Sequence, residues 1–323
     1  MRSGSTEEIR TLKSEHIVVL GSGVLGTEIA SQLHRQGRRV TMVVRTPRSG
    51  PAKGVPTVVS DIYDQADLRA KLSSASTVFH SAAPPYHRWP EEFPALQSSI
   101  VGAAIANNCK LVVAENVYGY GRAGRLTEEL PLNAQGRKGR VRAQLSEELI
   151  KLHAAGALPV VIGRSSDFVG PGVFASALGE RFWPPLIAGK AIGWYGNPEL
   201  KHSYTYVPDF ARALISLADS EDAYGQAWHV PCMELKSTRE VIELAVERLG
   251  TPLPKVARLA DWQLKLAGLF QPAARELIEL KALFTEELIV EDSKFRARFD
   301  GEATSWDDAI SATIEYWKAR KND

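Results

Sequence analysis

The segment Gly21-Ser22-Gly23-Val24-Leu25-Gly26 follows the apolar run Ile17–Leu20 directly and opens a helical pattern that continues to Arg35. Glycines at this spacing between a strand and a helix have separate mechanical tasks. One makes the tight turn, one lets backbone approach a pyrophosphate, and one lets the helix lie close to the strand. The helix start then offers unsatisfied N–H groups and the positive end of its dipole to an anion. A strand–turn–helix of this kind commits the chain to a dinucleotide-binding sheet, with Gly21, Ser22, Gly23, Val24, Leu25 and Gly26 as the phosphate-facing turn.

The rest of the chain keeps the same rhythm. Short β-branched runs at Val40–Val44, Thr57–Ser60, Thr77–His80, Lys110–Ala114, Pro159–Gly163 and Ala227–Val230 alternate with helical patterns at Val24–Arg35, Ala66–Leu72, Phe93–Asn107, Arg140–His153 and Pro208–Asp219. Most of the strands are apolar without alternation, as strands covered on both faces are. The expected fold is α/β, a doubly wound parallel sheet (Rossmann fold) with a smaller, mostly helical C-terminal substrate lobe. Gly37 and Gly156 fall where two helices should end. From Gly170 to Tyr204 the pattern gives way to Gly, Pro and aromatic residues, an excursion from the sheet. Helical patterns return at Ser237–Leu249, with its N-cap near Thr238, and at Asp261–Phe270, Pro272–Leu283 and Trp306–Lys321. The reading gives a disordered leader at 1–15, a nucleotide-binding domain at 16–170 and 205–232, and a substrate lobe at 171–204 and 233–323.

Composition narrows the function. With 39 Lys+Arg against 38 Asp+Glu the formal charge is +1, so no global field draws the chain to nucleic acid or to an anionic membrane. A small-molecule partner is expected. Cys109 and Cys232 have no metal-ligand spacing, so no metal site is expected, and they read as reduced thiols in a cytoplasmic setting. The opening residues carry Glu7, Glu8 and Glu15 and no apolar signal region.

The end of the second strand chooses the dinucleotide. An NAD site wants a carboxylate there for the ribose hydroxyls, but Val43-Val44-Arg45-Thr46-Pro47-Arg48 has none. Arg45 and Arg48 supply forked cationic donors suited to a 2′-phosphate, which favours NADP(H). Asp61, with Ile62 beside it, is expected at the adenine, and Ser81-Ala82-Ala83 after the fourth strand lets backbone pass close to the cofactor.

With these pieces in order, the chain resembles the extended short-chain dehydrogenase/reductase family of the NAD-dependent epimerase/dehydratase type. The resemblance runs from about His16 to Val230. It rests on the Gly-rich turn, Phe79-His80-Ser81-Ala82-Ala83, Val117-Tyr118-Gly119, Arg164-Ser165-Ser166-Asp167-Phe168-Val169-Gly170-Pro171 and Tyr206-Val207-Pro208-Asp209-Phe210-Ala211-Arg212-Ala213. It implies Ser165 and Ser166 close to the nicotinamide. It also implies a Ser or Thr, a Tyr and a Lys for proton transfer, and here the chain departs from the pattern. The Ser/Thr position falls on Ala114, and the YxxxK places fall on Gly139 and Ala143 or, one residue on, on Arg140 and Gln144.

Another acid is therefore needed. Glu115, Asn116, Tyr118 and Tyr120 leave the C-terminal end of the fifth strand, where doubly wound sheets bind ligands. Either tyrosine can donate a proton, Asn116 can hold an oxyanion and Glu115 can act as a base. Lys138, Arg140 and Arg142 are candidates to restore the missing positive charge. The aromatic loops around Tyr86, Trp89, Trp183 and Trp194 suit an apolar or aromatic substrate at least as well as a nucleotide sugar. The leading expectation is an NADP(H)-dependent reductase of a carbonyl or enone. The alternatives are an epimerase/dehydratase-type isomerisation without net redox and an NADP-sensing protein that has lost catalysis. Pairing through helices 93–107 and 140–153 would make a homodimer.

Overall fold

The computed structural model describes residues 15–46, 52–269, 278–279, 281–299 and 301–320. Residues 1–14 of the expected leader, Arg48 and most of the helix expected over Pro272–Leu283 lie outside the described residues.

Seven parallel strands form the main sheet: β1 (His16–Leu20), β2 (Arg39–Val44), β3 (Thr57–Val59), β4 (Thr77–His80), β5 (Lys110–Asn116), β6 (Val160–Ser165) and β7 (Ala227–His229). Their order is β7-β6-β5-β4-β1-β2-β3. All seven strands start within one residue of their expected position. β5 and β6 run two residues further than expected, so Asn116 and Ser165 end strands rather than follow them. β1 lies between β2 and β4, with Ile17 opposite both Val40 and Thr77. All five of its residues are buried, which is why it reads as an unbroken apolar run. The strand order reverses between β1 and β4, and doubly wound sheets bind ligands outside the carboxyl ends of the strands at that switch point.

Helix α1 (Val24–Arg35) matches the expected bounds and buries Leu25, Ile29, Ala30 and Leu33 on one stripe. It ends at Gly37, whose φ of 73° is left-handed and whose amide bonds to the His34 carbonyl. α2 (Gln65–Lys71) is capped by the Asp64 carboxylate, which accepts the amides of Ala66 and Asp67. α3 (Trp89–Ala106) starts four residues before the expected Phe93, because Pro90 is suited to a helix's first turn. α4 (Arg137–Ala154) starts three residues early, where the Gly136 carbonyl accepts the Arg140 amide. α5 spans Val207–Ala218.

The chain divides into two compact units: residues 1–115, 144–163 and 211–227, and residues 116–143, 164–210 and 228–323. The second unit therefore takes in Asn116–Ala143 as well as the excursion and the C-terminal segment. Its C-terminal part is less purely helical than the sequence suggests. Val256–Leu259 pairs in parallel with Ile192–Tyr195. Leu288–Val290 lies in a four-stranded sheet between Lys201–His202 and Gly124–Leu126. Strands of two to four residues leave too little periodicity to read, and their pairing partners are distant in sequence. Phe182, Trp183, Tyr204, Ile242 and Trp306 share this unit's core. The helix Thr238–Leu249 packs there, capped by Ser237 rather than Thr238. Ser237 Oγ accepts the Glu240 amide at 3.2 Å and its own amide donates back to Glu240 at 2.6 Å.

Candidate active site

The Gly-rich turn leaves β1 and the segment Ser81–Ala83 leaves β4, which places both at the switch point of the sheet. Ser81 ties them together: its amide and its hydroxyl both donate to the Leu20 carbonyl at 3.0 Å. Gly21 has φ +112°, and a Cβ there would lie 2.8 Å from the Ala82 amide nitrogen. A Cβ on Gly26 would press on the Gly21 carbonyl and stand 2.6 Å from Ser81 Oγ. Both glycines are thus required by backbone conformation or packing. Gly23 differs, since a Cβ on it would meet nothing within 4 Å. It is the N-cap of α1, no side chain caps that end, and the first turn holds no acidic residue. Ser22, Val24 and Leu25 complete the turn, with Leu25 held in the core. Open space against an uncapped helix start is what a pyrophosphate requires, so the residues present fit a dinucleotide.

At the far end of the expected nucleotide, Arg45 is exposed at the terminus of β2, and its charge acts on the Tyr63 phenol. The Asp61 carboxylate accepts the Tyr63 amide at 3.0 Å, which closes a turn, and Ile62 beside it is half-buried. Ala82 is half-buried and Ala83 exposed.

Ser165 and Ser166 differ sharply. Ser165 is fully buried and its hydroxyl has no hydrogen-bond partner among the described residues, whereas the Ser166 hydroxyl donates to the Ser203 carbonyl and its amide to Thr205 Oγ1 at 3.2 Å. Ser166 therefore joins this strand end to the neighbouring segment, and Ser165 keeps an unspent polar group.

The four residues proposed for catalysis are also placed differently. Glu115 is buried on β5. Asn116 spends its side-chain oxygen on the Tyr118 amide at 3.1 Å and so caps the 3-10 turn Val117–Tyr120. Tyr118 is half-buried and lines a cavity of about 200 Å³ with Gly121, Arg122, Gln135, Gly136 and Gly139. Tyr120 is closed off at 2% exposure. Its hydroxyl bonds to His229 Nε2 at 2.7 Å and accepts from Arg164 Nη1 at 2.9 Å. His229 Nδ1 donates to the Glu291 carbonyl at 2.9 Å. Burial holds the His229 pKa below its ordinary value. Sequence reasoning missed His229, because nothing local marks a histidine 109 residues from its partner.

Of the two registers expected for the motif on helix α4, Gly139 and Ala143 are buried while Arg140 and Gln144 are exposed. A Cβ at Gly139 would press on Ala134 Cβ and lie 2.7 Å from the Tyr118 carbonyl oxygen. No tyrosine fits there without moving the Tyr118 turn. Of the cations offered in its place, Lys138 and Arg142 are buried and Arg140 is exposed.

His202, in the excursion, pairs through Nε2 with Asp167 at 2.9 Å. Both cysteines are buried, which raises Cys109 to about 11 and, with Asp292 close by, Cys232 to about 12. Among the described residues no helix is long and apolar enough to cross a membrane.

Comparison with known proteins agrees with this geometry. The chain is 22% identical, over 97% of its length and 100% of the relative's, to a UDP-N-acetyl-alpha-D-glucosaminuronate decarboxylase of Bacillus cytotoxicus. A UDP-N-acetylglucosamine 4-epimerase from Methanobrevibacter ruminantium has a similar structure, with TM-score 0.79 and 18% identity over 95% of this chain and 99% of that one. A UDP-glucuronic acid 4-epimerase from Bacillus cereus, solved with NAD, gives TM-score 0.76 and 18% identity over 94% and 99%. The model of the NAD dependent epimerase/dehydratase family matches residues 17–230, and the chain belongs to that family.

Proposed function

We propose that this chain is an isomerising enzyme that uses a nicotinamide dinucleotide without net consumption and acts on a small, nucleotide-linked sugar. The observation that carries the reading is the pairing of an open, uncapped turn at Gly23 with the family membership. The similar proteins support the substrate class, since their names specify UDP-linked sugars, two of them with a carboxylate on the sugar. When bound, the cofactor supplies reversible hydride transfer. The protein supplies the rest. Gly21–Gly26 and the α1 amides hold the pyrophosphate, Asp61 and Arg45 the adenosine end, and Tyr118 exchanges a proton with the substrate oxygen. Asn116 positions Tyr118 by fixing the turn that carries it.

NADP(H) remains the preferred dinucleotide in this reading. Arg45 stands at the end of β2, where a carboxylate would repel a 2′-phosphate. The same feature favours a second reading, NADPH-dependent reduction of a carbonyl or enone, in which an oxyanion needs stabilisation more than a fast proton.

The test is purified protein with a tenth of an equivalent of NAD+ or NADP+ and a panel of UDP- and dTDP-sugars, followed by chromatography. In parallel, the protein is mixed with NADPH and a panel of ketones and enones, and the loss of nicotinamide absorbance is followed. Conversion well beyond the cofactor present supports the isomerising reading. Stoichiometric NADPH oxidation by ketones or enones, with the sugar nucleotides untouched, replaces it with the reductase.

A further inference from the structure

At the C-terminal edge of β2, Val44 pairs with Val59 of β3 and the Ser60 amide donates to the Val44 carbonyl at 3.1 Å. Arg45 therefore leaves the sheet beside the turn Asp61–Tyr63. Tyr63 Oη donates to Glu92 Oε2 on α3 at 3.2 Å, and the other oxygen of that carboxylate stands 2.7 Å from Arg88 Nη2. One carboxylate thus joins Tyr63 to Arg88. The backbone of Arg88 is fixed: its amide donates to the Pro85 carbonyl at 2.8 Å, Trp89 Nε1 donates to the Pro84 carbonyl at 3.1 Å, and Tyr86, Trp89 and Phe93 pack edge to face beside it. Its side chain is nevertheless 59% exposed. The charges of Arg45 and Arg88 both act on the Tyr63 phenol, so two guanidinium groups flank one edge of the expected adenosine end.

The sequence offers Arg45 and Arg48 as the forked donors for a 2′-phosphate, and Arg48 lies outside the described residues. We propose that Arg88, together with Arg45, donates to a phosphate on the adenosine ribose, and that Glu92 is its counter-ion while no phosphate is bound. An exposed arginine–carboxylate pair contributes little to stability, so re-aiming Arg88 costs little. A phosphate monoester carries about two negative charges at pH 7, against one on Glu92, and matches the guanidinium fork. Tyr63 keeps Glu92 hydrogen-bonded when Arg88 leaves it. A ribose hydroxyl has no charge to draw Arg88 off the carboxylate. Arg88 therefore adds selectivity for the phosphorylated dinucleotide rather than affinity for both. The inference rests on reading the Arg45 edge as an NADP(H) site, and it adds a specificity-determining residue from outside the second strand.

The experiment titrates the full chain with NADPH and NADH, and with adenosine 2′,5′-bisphosphate and AMP as fragments that differ only in the 2′-phosphate, read by fluorescence and calorimetry. Arg88→Ala should weaken NADPH and the bisphosphate about tenfold and leave NADH and AMP within about twofold. Arg88→Lys should recover part of the loss. Glu92→Gln, which frees Arg88 and removes a like charge, should tighten NADPH about threefold, a gain that a damaged fold does not produce. Adding Arg88→Ala to that variant should abolish the gain. A Glu92→Gln protein with NADPH affinity unchanged or lower leaves Arg88 and Glu92 as a surface ion pair and overturns the proposal. If Arg45→Ala is selective for NADPH while Arg88→Ala is not, the role of Arg88 is overturned and the NADP(H) reading stands. If Arg45→Ala weakens both cofactors equally, the NADP(H) reading falls and the proposal falls with it.

Discussion

Tyr120 and His229 are joined by a 2.7 Å hydrogen bond whose direction is dictated by what surrounds it. His229 Nδ1 faces the Glu291 carbonyl, which can only accept, so Nδ1 carries the proton and Nε2 is the acceptor. Tyr120 donates to it and in turn accepts from Arg164. The Tyr120 proton is thereby committed inside the second unit. Tyr120→Phe should cost about 1–3 kcal/mol of stability, because it leaves a buried acceptor and a buried donor without this partner. Denaturant unfolding measures the loss. Tyr118→Phe should do the reverse, with stability nearly unchanged, turnover reduced by tenfold or more and dinucleotide affinity kept.

Acid should weaken the fold through His229 and His16, whose pKa values burial holds below 6.5. Below pH 6.5 the unfolded chain binds protons at these sites that the folded chain does not, so stability falls with pH down to the depressed values. It is fully present above pH 6.5. His229→Gln should flatten the slope between pH 5 and 6.5 in urea-unfolding midpoints. An unchanged slope would assign the effect to His16 or to other groups.

Gly23 and Gly26 separate binding from folding. Gly23→Ala places its Cβ in open space and should cost at most about 1 kcal/mol through a poorer N-cap, yet weaken dinucleotide binding tenfold or more in a fluorescence titration. Gly26→Ala drives a Cβ into the Gly21 carbonyl and Ser81 and should destabilise by about 1–3 kcal/mol or more.

Replacing Arg45 together with Arg48 by Ala should weaken NADPH about tenfold more than NADH if the pair reads a 2′-phosphate. Equal loss for both cofactors would remove that assignment.

Neither thiol should react in the native state at pH 8, because burial holds Cys109 and Cys232 protonated. Titration with a thiol reagent should find both only after denaturation.

The doubly wound sheet was legible because its strands are covered on both faces and its helices carry single apolar stripes. Both are local patterns, and α1 matched to the residue. The Gly-rich turn was legible for the same reason: Gly21 and Gly26 pack on neighbours within six positions and on one segment, Ser81–Ala83, that the strand rhythm places beside them. Local spacing thus specified the fold class and the backbone geometry of the Gly-rich turn. The roles of Tyr118, Tyr120 and Lys138 were not legible. Which tyrosine is closed off depends on His229, 109 residues from Tyr120, and one partner of the buried Lys138 is Glu279, 141 residues further along the chain. Periodicity reports which face of an element is covered, but not by what. Only the folded chain brings the covering groups together, and burial then decides which proton is committed and which charge needs a partner.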